Sequence, residues 1–197
     1  MQIAISSGHG LHVRGARGFL DEVDEARRVA DHVGKILREL EVPVNVFHEN
    51  SARNQRDNVN AIVRHHNSLN RDLDVSVHFN SFNPTSGFTQ MDGWRAVDRA
   101  VGVEVLYRTN NTKTYNLAGH VACSISDASG LLLRHQRDRG AVARSNIGFL
   151  NNTTAPAILI EVCFVNSRED KRLYMQNFER ICAAIACTVS RRTKMSA

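Results

Sequence analysis

The chain has 197 residues, of which 42% are hydrophobic, 23% charged and 6% aromatic, with 12 glycines and 3 prolines. That composition excludes disorder, collagen-like repeats and low complexity, and the length supports one domain whose core needs neither disulfides nor a structural metal. A net charge of +5 would attract polyanions, but the basic residues are interspersed with 20 acidic ones, so charge alone selects no partner.

Gln2 to Ser6 predicts a first strand, stopped by Ser7-Gly8-His9-Gly10. The apolar run at the N-terminus is too short for a signal peptide, and no later segment approaches the ~20 apolar residues of a membrane span. From Ala26 the residues Val29, Ala30, Val33, Ile36, Leu37 and Leu40 form one stripe, which predicts a helix from Glu22 to Leu40 with Asp21 as its N-cap. Pro43 to Phe47 predicts a second strand, and Val59, Ile62, Val63 and His66 mark the inner face of a second helix. Leu73 to His78 is a third strand, followed by a polar excursion from Asn80 to Gly93. Gly102 to Tyr107 is a further strand, and Leu117, Ala118, Val121, Ala122 and Ile125 repeat at helical spacing. Arg134 to Arg144 is expected to be loop, and the apolar run Ala157 to Val162 a buried central strand. Ser167-Arg168-Glu169-Asp170 resembles a capping box opening a last helix through Leu173, Phe178, Ile181 and Ile185, with Arg191 to Ala197 as a frayed basic tail.

Alternating strand and helix periods predict an α/β domain with a largely parallel sheet, without internal repeat or second domain. The four cysteines, Cys123, Cys163, Cys182 and Cys187, include no C-x-x-C pair, a usage that fits reduced thiols in a cytosolic protein.

Three of the strands end in residues able to bind metal or move a proton: His9 after the first, His78 closing the third, and Glu161 closing Ile158-Leu159-Ile160-Glu161. The C-terminal strand ends of an open parallel sheet line the crevice where ligands bind, so separate segments deliver these groups to one edge. A helix returning after the first strand begins at that edge too. At ~100° per residue Glu22 lies within about 20° of Val33 on the buried stripe, whereas Glu25 lies about 80° away. Glu22 is therefore the carboxylate aimed inward, where a metal held by His9 and His78 would supply its charge partner.

Two imidazoles and one carboxylate leave a fourth tetrahedral position for water, the composition of a catalytic zinc site. Glu161 would then be free to take a proton from that water and deliver it to a leaving amine. Each residue alone has a plainer explanation: a strand-end His can be a hydrogen-bonded loop residue, Glu161 a satisfied buried carboxylate, and Glu22 a helix N-terminal charge. Convergence of all four on one edge favours a site. Of the other histidines, His65 and His66 face different directions on one helix, His12 could line the cleft, and His32, His48, His120 and His135 have no partner at useful spacing. Cys163, two residues after Glu161, would share its face on an alternating strand. H-E-x-x-H and G-x-S-x-G motifs are both absent from the sequence.

The segments Ser7-Gly8-His9-Gly10, the helix start at Glu22, Val75 to Ser81 and Ile158 to Ser167 occur in this order from residue 7 to 167. In this they resemble the zinc-dependent N-acetylmuramoyl-L-alanine amidases of the amidase-3 class, found in bacterial cell-wall hydrolases and phage endolysins. The resemblance implies a three-layer α/β/α sandwich around a twisted, mostly parallel mixed sheet. It further implies one zinc ion per chain on His9, Glu22 and His78, with Glu161 as catalytic base. The commoner Asp-Pro-Gly-His-Gly opening is replaced here by Ser6-Ser7 before Gly8, a change that spares the ligand.

On this reading residues 1–190 form a zinc amidase catalytic domain and 191–197 a basic tail. The expected substrate is peptidoglycan, cut between the lactyl group of N-acetylmuramic acid and L-alanine. Arg139, Arg144, His12 and Asn80 are candidates for substrate contact, the arginines as a clamp for a stem-peptide carboxylate. A monomer with neither specific nucleic-acid binding nor membrane insertion is expected. It would be cytoplasmic as synthesised and reach the wall after holin-type release, as suits a phage lysin. Two alternatives stand beside it: a zinc peptidase cutting within the stem peptide, since the same groups serve any amide, and a non-catalytic basic wall-binding module. The second would require clustered Lys/Arg and exposed aromatics.

Overall fold

The computed structural model describes residues 2–191. Its first strand, β1 (Ile3–Ser7), is buried along its whole length and leads through a wrapped loop into α1 (Glu22–Glu39). Asp21 caps that helix by accepting hydrogen bonds from the Val23 and Asp24 amides, and Arg14 holds the cap through two bonds to the same carboxylate. The helix buries Val29, Ala30, Val33 and Leu37 of the expected stripe together with Val23 and Ala26, but Ile36 is half-buried and Leu40 exposed, and the helix ends one residue earlier than predicted, with Leu40 as its C-cap. The chain continues through β2 (Val44–Phe47), α2 (Gln55–Asn67) and β3 (Leu73–Asn80). The polar excursion that follows contains a small antiparallel pair, β4 (Thr89–Gln90) with β5 (Arg95–Ala96). Then come β6 (Glu104–Arg108), α3 (Thr112–Ser129), β7 (Ala141–Arg144), the short α4 (Gly148–Asn152), β8 (Ala157–Phe164), α5 (Arg168–Gln176) and α6 (Phe178–Arg191).

Six strands form one sheet in the order β2-β1-β3-β8-β6-β7. Pairing is parallel throughout except between β6 and β8, so β6 and β7 run against the other four. One face, with Ile3, Ile5, Val75, Val77, Val105, Ile158 and Ile160, packs against α1, α3 and α6 in the larger core. The other face, with Leu106, Ala157 and Leu159, packs against α2 and α4 through Ile62, Val63, Phe149 and Leu150. This is the expected α/β/α sandwich around a mixed sheet.

Four sequence expectations change. The stretch from Arg134 to Arg144 is not all loop: after a 3-10 turn at Gln136–Asp138 its last four residues form the edge strand β7. Gly140 makes the turn into it at φ +80°, where a Cβ would lie 2.6 Å from that of Ala122. The last helix is two helices, because Asn177 bonds back to the Leu173 and Tyr174 carbonyls and, through its side chain, to the Ser129 carbonyl. Arg191 belongs to α6 rather than to a tail, and residues 192–197 lie outside the described residues. Finally, β8 carries one extra residue opposite β3, since His78 pairs Glu161 but Asn80 pairs Phe164. This β-bulge breaks the alternation and sends Cys163 into the larger core, away from the face of Glu161. Burial drives the Cys163 thiol well above its ordinary pKa, so it offers no nucleophile.

Only half of the expected capping box forms. Ser167 caps α5 by accepting from the Asp170 amide, but the Asp170 carboxylate turns to the loop before β6 instead. It accepts backbone hydrogen bonds from Val101, Gly102 and Phe164 at 2.9, 2.9 and 3.1 Å. Asp170→Ala would strand three buried donors, and we expect urea unfolding to show a loss of about 2–3 kcal/mol. Unchanged stability would mean that water replaces the carboxylate.

Candidate active site

His9 follows β1, Glu22 opens α1 and His78 lies on β3, so three elements that start or end at one sheet edge bring their side chains together. Glu22 is only 3% exposed. Its Oε1 lies 2.9 Å from His78 Nδ1 and 3.7 Å from His9 Nε2, and accepts the Phe79 amide at 3.2 Å, while Oε2 accepts the Ala16 amide at 2.6 Å. One ligand atom from each of His9, Glu22 and His78 lies within 4.8 Å of the others. Two glycines make this approach possible. A Cβ on Gly8 would fall 1.7 Å from His78 Nε2, and one on Gly15, which sits at φ +70°, would fall 2.2 Å from Glu22 Oε2.

The electrostatics favour a cation here. Burial lowers the His9 pKa against the pull of Glu22 and so favours the neutral imidazole that ligates metal. Burial would raise the Glu22 carboxyl, yet the hydrogen bond and charge of His78 hold it below the usual value. Burial likewise opposes charging His78, and its bond to Glu22 outweighs that. His9 Nδ1 is buried without a hydrogen-bond partner. Two imidazoles and a carboxylate in reach of one point, with an orphaned ring nitrogen among them, form a donor set that fits a divalent metal.

Glu161 stands beside this set, in register with His78 across the β3–β8 pair. Its Oε2 is buried and unpartnered. Burial, seconded by the Glu22 and Glu104 charges, pushes its pKa up to about 8, against the opposing pull of His78 and Arg144. From His78 and Glu161 a cavity of about 510 Å³ runs down the sheet between α2 and the residues around α4, with Val59, Ile62, Leu106 and Leu159 in its wall. Such a recess, largely apolar with titratable groups at one end, has the usual form of a ligand site.

The remaining sequence candidates separate. Arg144 ends β7 and its charge reaches Glu161. Asn80 lies at the site edge, but its amide is engaged at both ends, donating to Glu104 at 3.0 Å and accepting from the Ser81 amide. His12 is exposed and outside the cavity lining. Arg139 does not belong here: a left-handed backbone at φ +54° turns it onto the outer side of α3, where it lines a separate cavity with His120 and Asp127. Glu25 accepts the Tyr174 hydroxyl at 2.6 Å, away from the converging His9, Glu22 and His78 side chains. His66 is buried on Asp74 and His65 stacks on Phe47.

Two features escaped the sequence reading. His48, expected to lack a partner, bridges the Ser7 hydroxyl at 3.0 Å and Asp31 at 3.1 Å, while Ser7 also donates to the His9 carbonyl. Ser7 is fully buried, so this chain of bonds fixes the loop that carries His9. Glu104, 4% exposed, pairs directly with Glu161 because β6 runs antiparallel to β8. It binds Asn80, Arg134 and His135, which also gives His135 a partner. A charged residue inside the apolar run Val103 to Leu106 was the available signal; a parallel β6 would have placed it at the opposite edge.

Calorimetric titration of metal-free protein with zinc tests the ligand set. Glu22→Ala should weaken binding by more than about 100-fold, while Glu25→Ala should leave it unchanged. The opposite pattern would show that the first turn of α1 presents a different face.

A family model described as N-acetylmuramoyl-L-alanine amidase, of the amidase-3 class, matches residues 3–191. An uncharacterized 38.4 kDa protein of Clostridium perfringens is 29% identical over 176 residues, covering 89% of this chain and 46% of that protein. The chain thus spans about half the length of the curated relatives it matches. Among solved structures, the catalytic domain of the CD27L endolysin targeting Clostridia difficile superposes with a TM-score of 0.75 at 24% identity, covering 97% of both chains. The amidase AmiC2 of Nostoc punctiforme gives 0.76 at 22% identity, covering 98% of this chain and 97% of that one. These likenesses establish the shared fold, and the match across nearly the whole sequence establishes that the chain belongs to the N-acetylmuramoyl-L-alanine amidase family.

Proposed function

We propose that this chain hydrolyses the amide joining the lactyl group of N-acetylmuramic acid to L-alanine in peptidoglycan, with one zinc ion held by His9, Glu22 and His78 and with Glu161 as the general base. The observation that carries the reading is the buried, unpartnered Oε2 of Glu161, set in register beside one of three converging donors that could hold a metal. When bound, zinc supplies Lewis acidity that polarises a carbonyl and acidifies a water.

The chain's own groups do the rest. The Phe79 and Ala16 amides fix the Glu22 carboxylate beside His78. Glu161 has a free oxygen and an environment that stabilises its protonated form, so it can accept a proton during attack and return it to the departing amine.

Glu161→Gln keeps size and hydrogen bonding but cannot take the proton. It should fold, retain stoichiometric zinc and lose ~10²- to 10⁴-fold in turnover, read as release of L-alanine amino termini from peptidoglycan. Loss of zinc in the variant would make Glu161 a ligand. Full activity would assign the proton to another group, and new termini other than L-alanine would indicate a peptidase.

The raised Glu161 pKa has a consequence for stability in chelator-treated protein. The folded carboxyl keeps a proton that the unfolded chain has already lost, so stability falls as pH rises from the ordinary carboxylate range through about 8. Thermal unfolding of metal-free wild type should therefore weaken between pH 5 and 9 relative to Glu161→Gln. Parallel curves for the two proteins would contradict the burial argument.

A further inference from the structure

We infer that Arg134 sets specificity in this site by receiving a carboxylate of the substrate peptide a short step beyond the amide that is cut. The inference rests on the amidase reading above and adds a selectivity to it.

Glu104 is the starting point. It faces Glu161 across the β6–β8 pair and is almost wholly buried, so its charge must be compensated. The compensation is ample: Asn80 donates to Oε1 at 3.0 Å, while Arg134 Nε donates to Oε2 at 2.8 Å and His135 Nε2 lies 3.0 Å from the same oxygen. Arg134 is held in other ways too. Its backbone amide bonds to the Val103 carbonyl at 3.1 Å, and its guanidinium lies over the Phe164 ring at 4.8 Å, at the end of the strand that carries Glu161.

One edge of the guanidinium is thus pinned and one face covered. The side chain is nevertheless 29% exposed, and among the described residues no acceptor bonds its two Nη groups. A planar fork fixed in this way and open along its Nη edge is preorganised for bidentate binding of a carboxylate. The ordering of the arginine is already complete before a ligand arrives, so little side-chain entropy is lost on binding.

The placement suits the substrate chemistry. In peptidoglycan the residue after L-alanine is a γ-linked D-glutamate whose α-carboxyl is free or amidated. Two extended residues cover roughly 7 Å, and one step between strands roughly 4.8 Å. Arg134 follows the Leu133–Val103 bridge beyond β6, two strand steps from Glu161, and its guanidinium reaches back to Glu104 and over Phe164 at the end of β8, within reach of that carboxyl.

The test uses full-length protein loaded with zinc and two muropeptides that differ only in this carboxyl, free or amidated. Wild type should prefer the free acid by about tenfold or more in kcat/KM, chiefly through KM. Arg134→Gln should lose about 10- to 100-fold more on the free acid than on the amide and so erase the preference, any loss common to both substrates reporting the support that Arg134 gives Glu104. Arg134→Lys should restore only part of it, since an ammonium cannot form the fork. Equal losses on both substrates would reduce Arg134 to a structural support of Glu104 and overturn the inference. If the glutamine variant does not fold, wild type alone decides, because indifference to the carboxyl overturns the inference as well. Failure of wild type to cut either muropeptide would instead overturn the amidase reading on which it rests.

Discussion

A carboxylate removed from water must be given partners, and the catalytic edge of this protein is organised around meeting that demand at Glu22. Its oxygens draw in two histidines and two backbone amides. Those contacts dictate what surrounds them. The loop before α1 must come close enough to donate from Ala16, which requires Gly15 at positive φ, and β1 must leave room for the His78 ring, which requires a glycine at position 8. The N-terminus of α1 adds favourable dipole charge for the carboxylate. A negative charge so placed makes a cation the natural third party.

The second constraint is the direction of β6. In a fully parallel sheet the start of each strand lies at the far edge from the ligand crevice. By running against β8, β6 delivers its first residue, Glu104, to the near edge and opposite Glu161. The result is two acidic groups on neighbouring strands with opposite surroundings. Glu104 is saturated by Asn80, Arg134 and His135 and serves as an anchor, whereas Glu161 keeps an oxygen free. Pairs of titratable groups driven apart by environment are a recurrent means of dividing labour in active sites.

What could be read from sequence followed local periodicity. The phase of α1 follows from its apolar stripe, so Glu22 is distinguished from Glu25, and the approach of His9, His78 and Glu161 to one edge follows from runs of β-formers, although β3 runs on to Asn80 and β8 to Phe164, beyond the strand ends expected at His78 and Glu161. What could not be read depended on distant pairing. Neither the reversal of β6 nor the bulge in β8 leaves a local signature, so the charge of Glu104 inside its apolar run does not by itself assign it to the site edge, and strict alternation puts Cys163 on the wrong face. His48 and His135 looked isolated because their partners, Asp31 with Ser7 and Glu104, lie 17 or more residues away in sequence. Arg139 failed for a related reason: the left-handed turn that redirects it occurs at a residue type that does not announce such a turn.

The bulge in β8 also bears on how this domain tolerates insertions and deletions. Upstream of it, Ile158 and Ile160 face one core while Leu159 and Glu161 face the other side. Downstream, Phe164 packs with Val97 and Val101, and Asn166 ties the backbone at Phe82 and Arg95 to the end of the strand. A regular ladder over the same residues would instead turn every side chain after the bulge to the opposite face. The surplus residue is therefore a phase adapter between two patterns that could not otherwise coexist on one strand. A one-residue insertion or deletion between Glu161 and Asn166 thus keeps Phe164 and Asn166 in place only where the bulge itself absorbs it.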